Sequence, residues 1–334
     1  MNFKDKSYIS LTLKRSKDGI LKKFEKKKFR TLKNKEILVK IIYSNINFKD
    51  RLILNGNPGL VRNYPHTPGI DLAGKVVLSK SKKFRKGQRV ITVGKPLGVN
   101  NDGGFSQYQY VSEKFLEKLP NHMDLKSSMI FGTAGFTAAL VVLKLIKNRH
   151  KQPLKILISG ASGGVGLISI FILSQLGYEV DAITSSKNFF ELKKIGVKNI
   201  IKYSDFIQEG NLPLLKEKYS HIIDNLGGDI VSIGSRVLKK NGTLYLVGNA
   251  ENEKFSGFTL PFILRKINLI GINTEMASSQ ERNNAWKLLS YNTKTNLLSS
   301  LYSNIKFKDL LKFISNKTKK KFGRIVLKID HKKI

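Results

Sequence analysis

No cysteine occurs among the 334 residues. Disulfide bridges, thiolate nucleophiles and cysteine-ligated zinc are thereby excluded. Histidine is scarce too: His66, His122, His150, His221 and His331 are scattered without ligand spacing, so no protein metal site is expected. Long hydrophobic runs are missing. The apolar stretches Leu154 to Ser159 and Ala138 to Ile146 are far shorter than the roughly 20 residues a bilayer-spanning helix needs, and no segment reads as transmembrane. Met1 to Lys6 is polar and gives way to alternating strand-like residues, unlike the unbroken apolar stretch of a secretory signal. A cytoplasmic protein with no membrane partner is expected.

Negative charge is the other shortage. Only 24 Asp and Glu face 60 Lys and Arg, a formal net charge of +36. Clustered cations attract phosphate, which invites a nucleic-acid or membrane-surface reading. The cations are spread, however, over Lys22 to Arg30, Lys80 to Lys86, Lys317 to Arg324 and elsewhere, among abundant Asn and Ile. This is the pattern of a solvated surface of drifted composition, and no nucleic-acid partner is expected. A selected role for the charge would point to an anionic small molecule such as a coenzyme A ester.

What remains is enough for two packed domains, with 41% hydrophobic residues available for their cores. Up to about residue 125 the chain shows short alternating strands broken by Gly and Pro: Ile37 to Ile42, Leu72 to Val77, Gln88 to Val93 and Phe105 to Val111. A β-rich, barrel-like domain is expected there. From Ser127 to Lys147, Met129, Ile130, Ala134, Ala138, Val141, Val142 and Leu145 follow helical spacing, with Asp124 as N-cap. Beyond Leu154 the rhythm becomes strand, helix, strand. Strands are predicted at Lys155 to Ser159, Glu179 to Thr184, Asn199 to Ile201, His221 to Asp224, Thr243 to Val247 and Asn268 to Ile272, with helices between most of them. The fold class is therefore α/β, a doubly wound parallel sheet beside the β-rich domain. Helices at Gln280 to Leu289 and around Phe307 to Ile314, then a strand at Arg324 to Ile329, form a tail expected to return to the first domain.

One motif carries chemistry. Gly160-Ala161-Ser162-Gly163-Gly164-Val165-Gly166 follows the apolar strand and opens an apolar helix, matching the dinucleotide fingerprint with Ala161 at the first glycine's place. Its glycines admit a pyrophosphate close to the backbone, and the free amides of the helix N-terminus bind its charge. The alternative is a purely structural glycine turn. Sites that prefer NAD place an acid roughly 20 residues on, at the end of the second strand. Here that stretch is Thr184-Ser185-Ser186-Lys187, and Asp181 comes too early. Three hydroxyls and a cation suit the extra phosphate of NADPH; the plainer reading of Lys187 is that it points to solvent.

Several segments together resemble the medium-chain dehydrogenase/reductases, and more narrowly their quinone-oxidoreductase-related acrylyl-CoA reductases that use NADPH. They are Asn47-Phe48-Lys49-Asp50, Arg62-Asn63-Tyr64-Pro65, Pro68 to Gly74, Gly132 to Ala138, the glycine loop and Pro261 to Arg265. The zinc-dependent relatives carry Gly-His-Glu where this chain has Gly69-Ile70-Asp71. The resemblance spans nearly the whole chain and implies a GroES-like catalytic domain over residues 1–125 and 275–334 and a Rossmann NADPH-binding domain over 126–274. It places cofactor contacts on Ser162, Gly163, Gly164, Val165, Thr184, Ser185, Ser186, Lys187, Tyr203, Asn249, Ile263 and Thr274, with Phe48, Thr137 and Asn316 in the same set. Tyr203 replaces a basic residue, and Phe48 a tyrosine, so Phe48 cannot donate a proton.

The activity implied is hydride transfer from NADPH to the β-carbon of acrylyl-CoA, giving propionyl-CoA. Negative charge then builds on the thioester oxygen, where preorganised donors matter most. Lys49 and Arg62 are candidate electrostatic partners and Asn47 a candidate orienter. Against these stand plainer roles: Asn47 satisfying a turn, Lys49 pairing with Asp50, Arg62 solvated. Two other functions stay open: a quinone or general enone reductase on the same scaffold, and a basic cofactor-binding protein that acts on nucleic acid. The resemblance also implies a homodimer, joined near Asn268 to Ile272, and a role in detoxifying acrylate formed from dimethylsulfoniopropionate.

Overall fold

The computed structural model describes residues 6–147, 154–185, 187–208, 210–294, 296–316 and 322–331. It divides into two compact units, one of Met1–Thr133 with Thr293–Ile334 and one of Ala134–Asn292.

The first unit is assembled on the strand Glu36–Ile46, whose Ile37, Leu38, Val39 and Ile41 are buried. One side pairs antiparallel with Leu72–Ser79. The other side is shared, its first half by Tyr108–Ser112 and its second by Arg324–Lys328. Arg89–Thr92, Glu117–Lys118 and Tyr302–Lys306 complete a seven-stranded sheet. The anticipated return of the C-terminal strand to this β-rich unit is thus observed, and Val39, Ile41, Leu72, Phe105 and Leu327 share one core.

The strand-like residues expected after Lys6 form Ser7–Ser16, and this strand pairs antiparallel along its length with Gly19–Lys28, a strand not anticipated from the sequence. Lys22, Lys23 and Lys26 to Lys28 read as a charge run and masked its alternation. Inward-facing Leu11 and Leu13 are fully buried. The Phe24 ring meets Phe307 edge-on at 5.0 Å between centroids, a contact of about 1 kcal/mol beyond its area.

Asp124 caps the next helix, Leu125–Lys147, as its spacing predicted: Oδ1 accepts from Lys126 N (2.7 Å) and Ser127 N (2.9 Å). With a mean hydropathy of 2.0 this helix is long and apolar enough to cross a membrane, which the shorter runs considered above did not reveal. It is 78% buried within the protein and is broken at Gly132, whose φ of 51° lies outside helical space.

The second unit holds a six-stranded parallel sheet in the order Val197–Lys202, Glu179–Thr184, Lys155–Ile158, Tyr219–Asp224, Leu238–Leu246, Asn268–Gly271. All six anticipated strands are present, in the 3-2-1-4-5-6 order of a Rossmann fold. Leu157, Ile183, Ile222, Ile230 and Leu244 are central to its core. The helix Ser279–Tyr291 falls in this unit, whereas the sequence reading assigned it to the tail of the first domain. The packing explains why: the Phe136 ring lies 5.7 Å from that of Trp286, and the Arg282 guanidinium lies 4.3 Å from the Phe136 centroid.

Gly132 gives a direct test of the first unit. A Cβ there would clash with Asn45 Nδ2 and lie 2.5 Å from Asp71 Oδ2, in a backbone conformation that side chains disfavour. Gly132→Ala is expected to destabilise the protein by more than about 2 kcal/mol in urea denaturation. A cost under a few tenths would show that neither constraint holds.

Candidate functional site

The carboxyl ends of the parallel strands lie on one edge of the sheet, and strand order reverses between Lys155–Ile158 and Tyr219–Asp224. Such a reversal opens a crevice for a ligand. The glycine loop leaves the sheet there. Gly160 has φ +56°, and Gly163 N donates back to Gly160 O at 2.8 Å, closing a tight turn. A Cβ on Gly166 would lie 2.6 Å from Gly160 O, so only glycine fits beneath the loop. The helix Gly164–Gln175 then starts with Ser162, Gly163, Gly164 and Val165 accessible and its later residues buried. The first turn of the helix and the positive end of its dipole are therefore accessible, which suits a pyrophosphate.

Three residues not singled out in the sequence brace this loop. Asp224, at the end of the neighbouring strand, accepts a 2.5 Å hydrogen bond from Ser159 Oγ and others from Leu226 N (3.1 Å) and Gly227 N (2.9 Å). Asn225 Nδ2 donates to Ser159 O at 2.7 Å. Burial raises the Asp224 pKa against these hydrogen bonds. An acid closing the apolar run Ile222-Ile223 was the available signal.

Of the other candidates in this unit, Thr184 is buried with Oγ1 3.3 Å from Ser162 Oγ, which joins the second strand to the loop. Ser185 and Lys187 are exposed beyond it, and Ser186 lies outside the described residues. Asp181 faces away from any such role, accepting from Asn199 Nδ2 (2.8 Å) and Tyr219 Oη (3.0 Å) and pairing with Lys155 (3.0 Å). Tyr203 opens a short helix after the third strand, its hydroxyl pKa raised by burial and then by Asp229, Glu251 and Asp224. Asn249 is exposed after the fifth strand, Thr137 is buried in the long helix, and Ile263 is 66% exposed on Leu260–Arg265. Thr274 accepts through its carbonyl from Arg282 Nη1 at 3.3 Å.

In the first unit the structure separates the three catalytic candidates. Lys49 and Arg62 are exposed, whereas Asn47 is buried at the centre of a polar network. Asn47 Nδ2 donates to Asn45 Oδ1 (2.7 Å) and Asp71 Oδ2 (2.9 Å), and its Oδ1 accepts from Arg324 Nη2 (3.0 Å). Asp71 also binds Thr133 through N (2.8 Å) and Oγ1 (2.5 Å). Asp50 accepts from Asn47 N (2.8 Å) and Ile70 N (2.9 Å) rather than serving Lys49. Phe48 is half exposed at the start of the helix Phe48–Leu54, and Asn316 caps Leu310–Ser315. Burial lowers the Arg324 pKa, against the pull of Asp71 and Asp50.

Two family models match the chain, the alcohol dehydrogenase GroES-like domain over residues 33–121 and the zinc-binding dehydrogenase over 164–291. YhfP of Bacillus subtilis, named as a quinone oxidoreductase, is 35% identical over 269 residues, 79% of this chain and 81% of its own. Its crystal structure with NAD bound superposes with a TM-score of 0.90, covering 97% of this chain and all of that one. The acrylyl-CoA reductase AcuI of Ruegeria pomeroyi is 33% identical over 280 residues, 82% and 84% of the two chains. The yhdH oxidoreductase of Salmonella enterica, crystallised with NADP, is 29% identical with a TM-score of 0.90 over 96% of this chain and 100% of its own.

The zinc in the second model's name does not fit here. Ile70 stands between Gly69 and Asp71, Asp71 is committed to Thr133 and Asn47, and the Arg324 cation lies 3.0 Å from Asn47. A dication would meet a guanidinium in a buried site.

Burial, followed by the Asp71 charge, pushes the Asp50 pKa up to about 7, against its hydrogen bonds. An unfolded aspartate titrates near 3.9, roughly. Between those values the folded state holds the extra proton, so the contribution of Asp50 to stability is full below about pH 4 and is lost as pH rises through about 7. Asp50→Asn is expected to flatten that part of the melting-temperature profile between about pH 4 and 7. An unchanged slope would assign the pH dependence elsewhere.

Proposed function

Because the chain belongs to the medium-chain dehydrogenase/reductase superfamily, in its quinone-oxidoreductase-like branch, we propose that it reduces the activated double bond of acrylyl-CoA to propionyl-CoA with NADPH. The similarity to an acrylyl-CoA reductase along most of both chains carries this reading. The glycine loop supports the cofactor: Ser162 to Val165 are accessible at the start of a helix, and a side chain at Gly166 would collide with the loop backbone. NADPH is favoured over NADH because the second strand ends in Thr184-Ser185 and its nearest acid, Asp181, is held in structural pairs. The Salmonella relative with NADP agrees, and the NAD-bound Bacillus relative makes NADH the necessary control.

When bound, NADPH supplies the hydride that reaches the β-carbon. In this reading Ser162, Gly163, Gly164 and Val165 hold the pyrophosphate, with Thr184, Ser185 and Lys187 beside the extra phosphate. Asn47 acts as a positioning residue: its amide is fixed by Asn45, Asp71 and Arg324, and its backbone N–H by Asp50. That sets the start of the helix on which Phe48 and Lys49 are displayed. The quinone-reductase alternative is favoured by YhfP.

We also propose a homodimer in the cytoplasm. The strand Asn268–Gly271 is a sheet edge with Ile270 37% exposed, and Phe262, Ile263 and Leu264 on the preceding helix are 38%, 66% and 58% exposed. A free edge beside apolar side chains suits a second copy of the same strand.

NADPH oxidation should be at least tenfold faster with acrylyl-CoA than with free acrylate or a simple quinone, and faster than NADH oxidation; quinone-only turnover would move the protein to the alternative. Light scattering should give twice the 37.7 kDa chain mass. Ile270→Lys should return the monomer, and a monomeric wild type would remove the dimer.

A further inference from the structure

The exposed face of the first unit carries an arrangement that the reaction itself does not use. Leu13 and His66 exchange both backbone hydrogen bonds, Leu13 N to His66 O at 2.7 Å and His66 N to Leu13 O at 3.0 Å. This isolated bridge brings the segment that carries Tyr64 beside the strand that carries Arg15. The Arg15 guanidinium lies 6.0 Å from the Tyr64 ring centroid. Arg62 is exposed two residues before Tyr64.

The platform is anchored. Leu60, Val61 and Tyr64 pack against the core of the first unit, as does Ile20 of the ribbon, and a Cβ on Gly56 would lie 2.7 Å from Ile20 Cγ1. The nearest carboxylate shown at this segment, Asp102, accepts from Thr67 N at 2.8 Å and is paired with Lys27 at 3.0 Å. No acidic residue occurs between Asp50 and Asp71. Lys14 is neutralised by Glu25 at 2.6 Å, but no ion pair among the described residues engages Arg15 or Arg62. The Arg15 guanidinium over the partly buried Tyr64 ring, with exposed Arg62 two residues before that ring, offers charge-assisted contacts for phosphates and a planar group for a purine to stack on.

We propose that Arg15, Tyr64 and Arg62 anchor the phosphorylated adenosine end of a coenzyme A thioester. The proposal rests on the thioester reading of the substrate and moves Arg62 from the thioester oxygen to the far end of the molecule. Binding energy gathered there lowers the barrier at the distant double bond by holding the acyl group in place.

The test compares kcat/KM for acrylyl-CoA with that for the acryloyl thioester of N-acetylcysteamine, which lacks the phosphoadenosine. Arg15→Ala should lower the acrylyl-CoA value about tenfold through KM, the loss of one charge-assisted contact, and so collapse the preference for the full coenzyme. Arg15→Lys should recover only part of it, because a lysine cannot stack. Lys118→Ala, an exposed cation on a different strand, should leave the preference as in wild type. An unchanged preference in Arg15→Ala overturns the proposal, as does an equal fall in Lys118→Ala, which would reduce the effect to overall charge. A parallel rise in the KM for NADPH also overturns it, since the adenosine phosphate bound would then be the cofactor's. Should neither thioester be reduced, calorimetric titration with adenosine 3′,5′-bisphosphate separates the two claims. Binding that Arg15→Ala abolishes keeps the anchor while the substrate reading fails, and no binding to wild type overturns the anchor.

Discussion

The carboxylate of Asp71 is the point on which the first unit depends. Its two oxygens take hydrogen bonds from Thr133 and Asn47, and Arg324 reaches the same asparagine from the far end of the chain. Four segments distant in sequence thus meet around buried, hydrogen-bonded charge. Such a cluster is tolerated because nearly every lone pair has a donor, and removing one partner would strand the others at a cost of several kcal/mol, about 3–5 for a buried pair. The break at Gly132 belongs to the same arrangement. The helix unwinds there because Asn45, Asp71 and Arg324 occupy the space a side chain would need.

The second unit solves a different problem, that of bringing a polyanion to a backbone. Its solution is subtraction: glycines where the loop folds on itself, and an apolar helix whose first turn stays open. The Ser159, Asp224 and Asn225 contacts then hold the emptied loop in shape. Flexibility of residue type is thereby combined with fixed geometry, which preorganises the site.

Legibility in the sequence followed the range of the interactions involved. The parallel strands were readable because each is a local apolar run punctuated by glycine or polar residues, and the glycine loop because its spacing is a local steric requirement. The second strand of the ribbon was obscured because its lysines, at 22, 23 and 26 to 28, interrupt the alternation of its few apolar residues. The buried network was out of reach for another reason: Asn47 and Arg324 are 277 residues apart, and no local pattern announces such a pair. Asn47 was named for its chemistry without sight of its partners. Lys49 and Arg62 were named beside it, yet their side chains are solvent-facing while that of Asn47 is enclosed.

The placement of the strand Arg324–Lys328 against Glu36–Ile46 has a consequence for the order in which the protein is made. The sheet of the first unit lacks a member, and Asn47 lacks its guanidinium, until residue 328 has been added. The second unit, contiguous from Ala134 to Asn292, has its whole sheet much earlier. Synthesis therefore reverses the usual N-terminal-first sequence: the portion translated first is completed last, and its open strand edge waits on the ribosome while the later portion closes.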